Sequence, residues 1–357
     1  MHTIFEERRN RLRERMAAKG LDAVLISYAA NRFYLSGFEL HDVQGNESAG
    51  HLVIGADGRD YLVTDPRYCE AAARCLPRQN VVLYHRDSYK VLADLLRSLG
   101  VRVGVEMDAL SMNFMRVLAS SAPQLALESC DGLTEELRVI KDNVEIEAID
   151  KSFALNHTML FWLEKELKPG LSEKDVSWII ERFFRENGAS ELAFPSIVAV
   201  DQNAALPHAL VSEKTITNNS LVLVDVGCRV DDYCSDQTRV FWIGDDKDQR
   251  YSKTLALVRK AQEAAIACMR PGLSCREVYA KAYQVFEQAG VAKAFTHSLG
   301  HGVGLETHEK PSLAPRSEEI LEPGMVVTVE PGLYYPKWGG IRWENTVLVQ
   351  EDGVRIL

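Results

Sequence analysis

One segment of this chain occurs twice. Lys168–Gly188 reads KPGLSEKDVSWIIERFFRENG, and Arg270–Gly290 reads RPGLSCREVYAKAYQVFEQAG. At a constant offset of 102, Pro169, Gly170, Leu171, Ser172, Val176, Phe184 and Gly188 match Pro271, Gly272, Leu273, Ser274, Val278, Phe286 and Gly290. Each copy opens with a serine followed three residues later by an acid, Asp175 or Glu277. That is a capping box, in which hydroxyl and carboxylate satisfy orphan amides at a helix start. After each helix comes Ala-Phe, at Ala193–Phe194 and Ala294–Phe295. The repeat predicts a duplicated helix-plus-strands unit, hence a pseudo-symmetric domain with a cleft where the copies meet.

Upstream, the pattern changes. A charged amphipathic helix over MHTIFEERRNRLRERM leads into DAVLIS at 22–27, and further strands are predicted at 51–55, 60–64, 81–84 and 101–106. Helices are predicted at 66–75, 88–99 and 111–121, an alternation that marks a small α/β layer domain. Pro123 and the Asp131–Gly132 turn place the domain boundary, dividing the chain into 1–131 and 132–357. One long helical stretch is expected from Glu135 to Lys168.

The net charge of −10 argues against nucleic acid and anionic membranes as partners. The N-terminus lacks the apolar core of a signal peptide, and no apolar run reaches membrane-spanning length. Seven cysteines without a CxxC spacing fit free thiols in the cytoplasm.

Within the second half, acids interrupt apolar strands. Asp225 ends LVLVD, where a buried, unpaired carboxylate is costly. Asp236 follows in CSDQTR, and a two-residue turn near Val230–Asp232 sets the two aspartates opposite or diagonal on one face of a hairpin. Glu330 ends VVTVE before a Pro-Gly break, and Glu344 lies in the strand pattern IRWENTVLV, with Arg342 on its own face and Trp343 on the other. His301 stands between Gly300 and Gly302, whose missing side chains are expected to leave its ring accessible. Four carboxylates and one imidazole form a hard, oxygen-rich donor set suited to two divalent cations. Without cations the acids would repel and raise each other's pKa values. His208, His297 and His308 fall in the same region and suit acid–base or ligand roles.

The ordered set DVG, SDQTR, HSLGHGVGLETHE, VEPGLY and GIRWEN resembles the metal-dependent proline peptidases of the creatinase/aminopeptidase P/prolidase superfamily. NRFYLSGF, SAGHLVI and TDPRYCEAA resemble that family's N-terminal domain, LRVIKDNVEIEAI its interdomain segment, and PSIVAVDQNAALPHA its first catalytic-histidine strand. The resemblance implies an α/β (α+β) chain: a creatinase-like N-terminal domain and a C-terminal "pita-bread" catalytic domain.

It further implies that Asp225, Asp236, His301, Glu330 and Glu344 are dinuclear ligands, with Asp236 and Glu344 bridging. Glu330 is the expected proton shuttle. His208, His297 and His308 are expected around the substrate, with Arg342 beside the site and Tyr334 at the EPGLY tyrosine. Manganese suits the donors best, with cobalt or zinc as alternatives. The expected activity is that of an Xaa-Pro dipeptidase acting on small proline-containing peptides, in a homodimer. Aminopeptidase P is the near alternative and a non-catalytic binding protein the remote one. The pattern departs from the family at Asn345, where an aspartate is usual, and at Trp343, where an aliphatic residue is usual.

Overall fold

A computed structural model of the chain describes residues 4–42 and 47–357. The first three residues of the predicted N-terminal helix lie outside the described residues, and the helix spans Ile4–Lys19. The chain gathers into two compact units, 1–138 and 139–357.

The first unit is built on a six-stranded mixed sheet in the order Val81–Leu83, Asp60–Thr64, His51–Gly55, Ala23–Ile26, Arg102–Val105 and Ala126–Ser129. The predicted strands shorten by a residue at some ends. Helices Cys69–Cys75, Ser88–Leu99 and Met112–Ser121 fall where the apolar spacing put them. Helix Ala29–Ser36 and strand Ala126–Ser129 were not anticipated. The helix buries Arg32, whose guanidinium donates to the carbonyls of Gly50 (2.7 Å) and Glu39 (2.7 Å). Such partners, supplied by tertiary structure, leave no periodic signature.

The predicted helix 135–168 is broken. Glu135–Arg138 ends it once, and Asn143–Glu166 begins anew. Asp142 causes the restart, because its carboxylate accepts from the amides of Val144 and Glu145.

In the second unit the sequence repeat is a structural one. Helices Glu173–Glu186 and Cys275–Gln288 both start from complete capping boxes, Ser172 with Asp175 and Ser274 with Glu277. Gly170, at φ +99°, donates its amide to Ile216, and Gly272, at φ +83°, donates to Leu321, both at 2.9 Å. Ser172 bridges Thr215, and Ser274 bridges Ile320. Each helix packs on a preceding one, Asn143–Glu166 or Gln249–Cys268, and each pair covers its own apolar cluster.

The first copy's strands run in the order Gln237–Ile243, Ser220–Val226, Ile197–Val200, all antiparallel. The second copy's sheet runs Glu309–Leu313, Gly300–Gly302, Val326–Val329, Asn345–Gln350, Gly353–Ile356, also antiparallel. The expected single hairpin over 221–243 changes sheets at its tip. Cys228–Val230 pairs with Tyr233–Cys234 in a separate small sheet, around Asp231 and Asp232 at φ +48° and +70°. Gly227 makes the change of sheet. A Cβ there would stand 2.1 Å from the Ser235 carbonyl oxygen and 2.7 Å from the Phe194 ring. Gly227→Ala is therefore expected to cost about 3 kcal/mol, the upper part of the overpacking range, read as a fall in the thermal midpoint.

Candidate metal centre and cavity

Strand register brings the aspartates together. Asp225 pairs with Thr238, so Asp236, two residues before Thr238, lies diagonally across on the same face. Glu344 joins them from a different direction. The expected strand IRWENTVLV is two strands, Gly339–Arg342 and Asn345–Gln350, with Trp343 and Glu344 at the break between sheets. The Glu344 amide donates to the carbonyl of Thr238, which fixes the break against the first copy's edge strand. Asp225, Asp236 and Glu344 each offer a carboxylate oxygen within 4.8 Å of the others. All three are buried, and Asp225 Oδ1 and Glu344 Oε1 have no hydrogen-bond partner among the described residues.

The second copy supplies Glu330 and His301. Glu330 follows strand Val326–Val329, and its amide donates to Leu299. Its Oε1 lies 3.1 Å from His301 Nε2, which is itself 3.7 Å from Asp236 Oδ2. His301 Nδ1 contacts the Gly302 carbonyl at 3.1 Å, so Nε2 is the nitrogen turned to the acids. The flanking glycines serve packing rather than access. A Cβ on Gly300 would reach 1.9 Å from the Thr328 oxygen, and one on Gly302 would reach 2.1 Å from the Lys310 oxygen. Thr328 Oγ1 donates to Glu330 Oε1 (3.1 Å) and accepts from the His301 amide (3.0 Å).

Behind the acids runs a polar network. Arg342 donates to Asp225 Oδ2 (2.6 Å), to the Tyr334 hydroxyl (2.8 Å) and, through Nε, to Thr238 Oγ1 (2.9 Å). Thr238 in turn donates to Glu344 Oε2 (2.8 Å). Arg342 and Glu344 are thus not a surface pair, being 3% and 1% exposed. His297 Nδ1 lies 2.6 Å from the Ser298 carbonyl oxygen, so it carries the proton. Its Nε2 accepts from the Tyr334 hydroxyl at 2.9 Å. Thr238 and Thr328 were not singled out from the sequence. Their only signal is being two residues, one pleat repeat, from Asp236 and Glu330.

A cavity of about 500 Å³ opens over this floor. Asp225, Asp236, His208, His297, His301, His308, Glu330 and Arg342 line it, together with an apolar wall including Phe194, Pro195 and Ile197. Glu344 is not a lining residue. The rings of His301 and His308 stand 4.2 Å apart.

Crowded acids without counter-ions titrate abnormally. Burial first, then the charges of Glu330 and Asp225, push Glu344 up to about 8. Burial and Glu344 likewise raise Asp236. Burial alone would also raise Glu330, but the hydrogen bond and charge of His301 outweigh it and hold Glu330 at about 2. His301 moves the other way, to about 9, because Glu330 overcomes the effect of burial. Burial lowers His297 and His308.

Residues 147–351 match the metallopeptidase family M24, and residues 8–140 match the creatinase/prolidase N-terminal domain. The chain belongs to family M24 and is a prolidase-like peptidase. The Xaa-Pro dipeptidase of Pyrococcus horikoshii is 30% identical over 99% of this chain and 97% of its own length. Among solved structures, an Xaa-Pro dipeptidase from Bacillus anthracis superposes with a TM-score of 0.92 at 32% identity, covering 99% of this chain and 97% of that one. An X-Pro aminopeptidase from Thermotoga maritima gives 0.85 at 29% identity, covering 96% and 97%. Among the described residues, no helix is long and apolar enough to cross a membrane.

Proposed function

We propose that the chain is an Xaa-Pro dipeptidase whose Asp225, Asp236, His301, Glu330 and Glu344 hold two divalent metal ions. The convergence of three buried carboxylates at and behind a cavity floor, with an oxygen of Asp225 and one of Glu344 unpartnered among the described residues, carries this reading. An orphaned, buried carboxylate oxygen is costly, and a cation is the partner that removes the cost for several acids at once. His301 fits as a ligand through Nε2, since its Nδ1 meets a backbone carbonyl, the usual support of a metal-bound imidazole. Four oxygen-donor side chains and one nitrogen favour manganese, with cobalt or zinc next.

When bound, the metal pair supplies an acidified water as nucleophile and a Lewis acid for the scissile carbonyl. The chain's own residues do the rest. Glu330, steadied by His301 and Thr328, takes the proton of the attacking water and passes it to the leaving nitrogen. In an Xaa-Pro bond that nitrogen carries no hydrogen, so recognition falls on the carbonyl and the proline side. His208 and His308 line the cavity and donate to the oxyanion as it develops. Both ring nitrogens of His297 are engaged, so it steadies Tyr334 and through it Arg342. Arg342 in turn orients Asp225.

His308→Ala is expected to lower kcat/KM on an Xaa-Pro dipeptide by about 100-fold, as for loss of an oxyanion donor. A loss under about threefold would remove His308 from the chemistry. Likeness to an X-Pro aminopeptidase supports the rival reading, cleavage ahead of proline in longer peptides. A panel of Xaa-Pro and Xaa-Pro-Yaa peptides, with and without chelator, separates the two. Preferred cleavage of Ala-Pro over Ala-Pro-Ala, lost on chelation and restored by manganese, is the expected result. A strong tripeptide preference assigns aminopeptidase P activity instead.

A further inference from the structure

The turn between His301 and His308 is held from inside by a buried charge. Glu309, next to His308, pairs across the sheet with Gly302, next to His301. Its carboxylate points back into the turn. Oε1 accepts from the Glu306 amide at 3.0 Å, and Oε2 accepts from Lys141 Nζ at 3.1 Å. Gly304 makes the room, since a Cβ there would stand 2.7 Å from Glu309 Oε2. Hydrogen bonds to two of its carbonyls clamp the same turn from the first copy. Cys234 donates its amide to Gly304 (2.8 Å), and Arg229 Nη1 donates to Leu305 (2.6 Å).

Lys141 lies 168 residues from Glu309 in sequence, and the two side chains are 1% and 6% exposed. Its own amide donates to Gly324 at 2.9 Å, just before strand Val326–Val329, which delivers Glu330. One lysine therefore touches the segment leading to Glu330 with its backbone and the turn carrying His308 with its ammonium. A buried ion pair is a weak source of stability, because desolvation offsets most of the attraction. What it supplies is a single geometry.

We propose that Lys141 is a positioning residue: through Glu309 it fixes the turn that aims His308 at the cavity. The proposal rests on the role given above to His308. Lys141 is not among the residues lining the cavity, and among the described residues its ammonium pairs with Glu309 rather than with any of the five ligand side chains. Its loss shows in turnover, with metal content kept.

A double-mutant cycle on Ala-Pro tests this, with Lys141→Met, His308→Ala and the double variant, each assayed with manganese and checked for bound metal. Lys141→Met is expected to lower kcat about tenfold, to change KM less than about threefold and to retain its metal. Lys141→Arg is expected to recover most of the lost turnover. In the His308→Ala background, Lys141→Met should cost little more, because there is no ring left to misplace. Multiplicative losses in the double variant overturn the proposal, as does a kcat for Lys141→Met within about threefold of wild type, or a loss that follows missing metal. If His308→Ala alone leaves turnover unchanged, the role of His308 fails first, and the positioning proposal falls with it. Should Lys141→Met not fold, Glu309→Asp, which withdraws the carboxylate by one methylene, takes its place in the same cycle with the same criteria.

Discussion

Asparagine at position 236 is expected to remove bound metal and lower kcat/KM on an Xaa-Pro dipeptide by at least ~10³-fold. Several kcal/mol of transition-state stabilisation come from a metal acting as Lewis acid and water activator, and this is their kinetic equivalent. The distinctive part of the result is stability. In metal-free protein, Asp236 is a buried acid beside Glu344, Asp225 and Glu330, and burial first, then their charges, raise its pKa. Asp236→Asn removes that repulsion. The metal-free variant is expected to melt above the metal-free wild type, while manganese stabilises only the wild type. Melting curves with chelator and with manganese read both signs. A variant that binds two manganese ions as tightly as wild type would remove Asp236 from the ligand set.

Metal-free protein should also lose stability as pH rises from 6.5 to about 8. Glu344 has an ordinary value of 4.5 and a folded value of about 8. A raised pKa means its contribution is fully present below 4.5 and lost as pH climbs through 8. His301, raised from 6.5 to about 9, loses its contribution from 6.5 upward through 9, which spans the same interval. Glu330, held at about 2, loses its contribution only in acid, as pH falls through that value, so it is silent in this window. His297 and His308 are lowered and matter only below 6.5. The thermal midpoint of metal-free protein is expected to fall by of order 5 °C across the interval. Saturating manganese should flatten the slope, because the carboxylates are then ionised throughout and the imidazole is neutral. A flat profile without metal would mean that these acids do not converge in solution.

Much of this arrangement is legible in the sequence, for identifiable reasons. The capping boxes are local, so the duplicated helices at 172 and 274 follow from a few adjacent residues. Asp225 and Asp236 announce themselves because an acid in an aliphatic strand needs a reason, and hairpin register then fixes their diagonal relation. The remainder depends on partners distant in the chain. Thr238 matters because it links Arg342 to Glu344, more than a hundred residues away, and nothing around Thr238 signals this. The break at Glu344 arises because its neighbours join two different sheets, whereas the alternation of IRWENTVLV reads as one strand. The restart at Asp142 was missed because apolar periodicity resumes on either side of it. Asn345 accepts from Arg239 at 3.0 Å, and Trp343 stacks under the same guanidinium at 4.5 Å. The two departures from the family pattern therefore meet on one arginine, with Glu344 between them in sequence.

The twofold construction of the second unit has a consequence for how the centre comes into being. Asp225 and Asp236 precede helix Gln249–Cys268, while His301, Glu330 and Glu344 follow it. On the ligand assignment proposed here, neither ancestral-looking half owns a complete coordination sphere. Cations then act as a clasp across an internal seam: capture of metal reports that both halves have docked, and peptide hydrolysis waits on that docking.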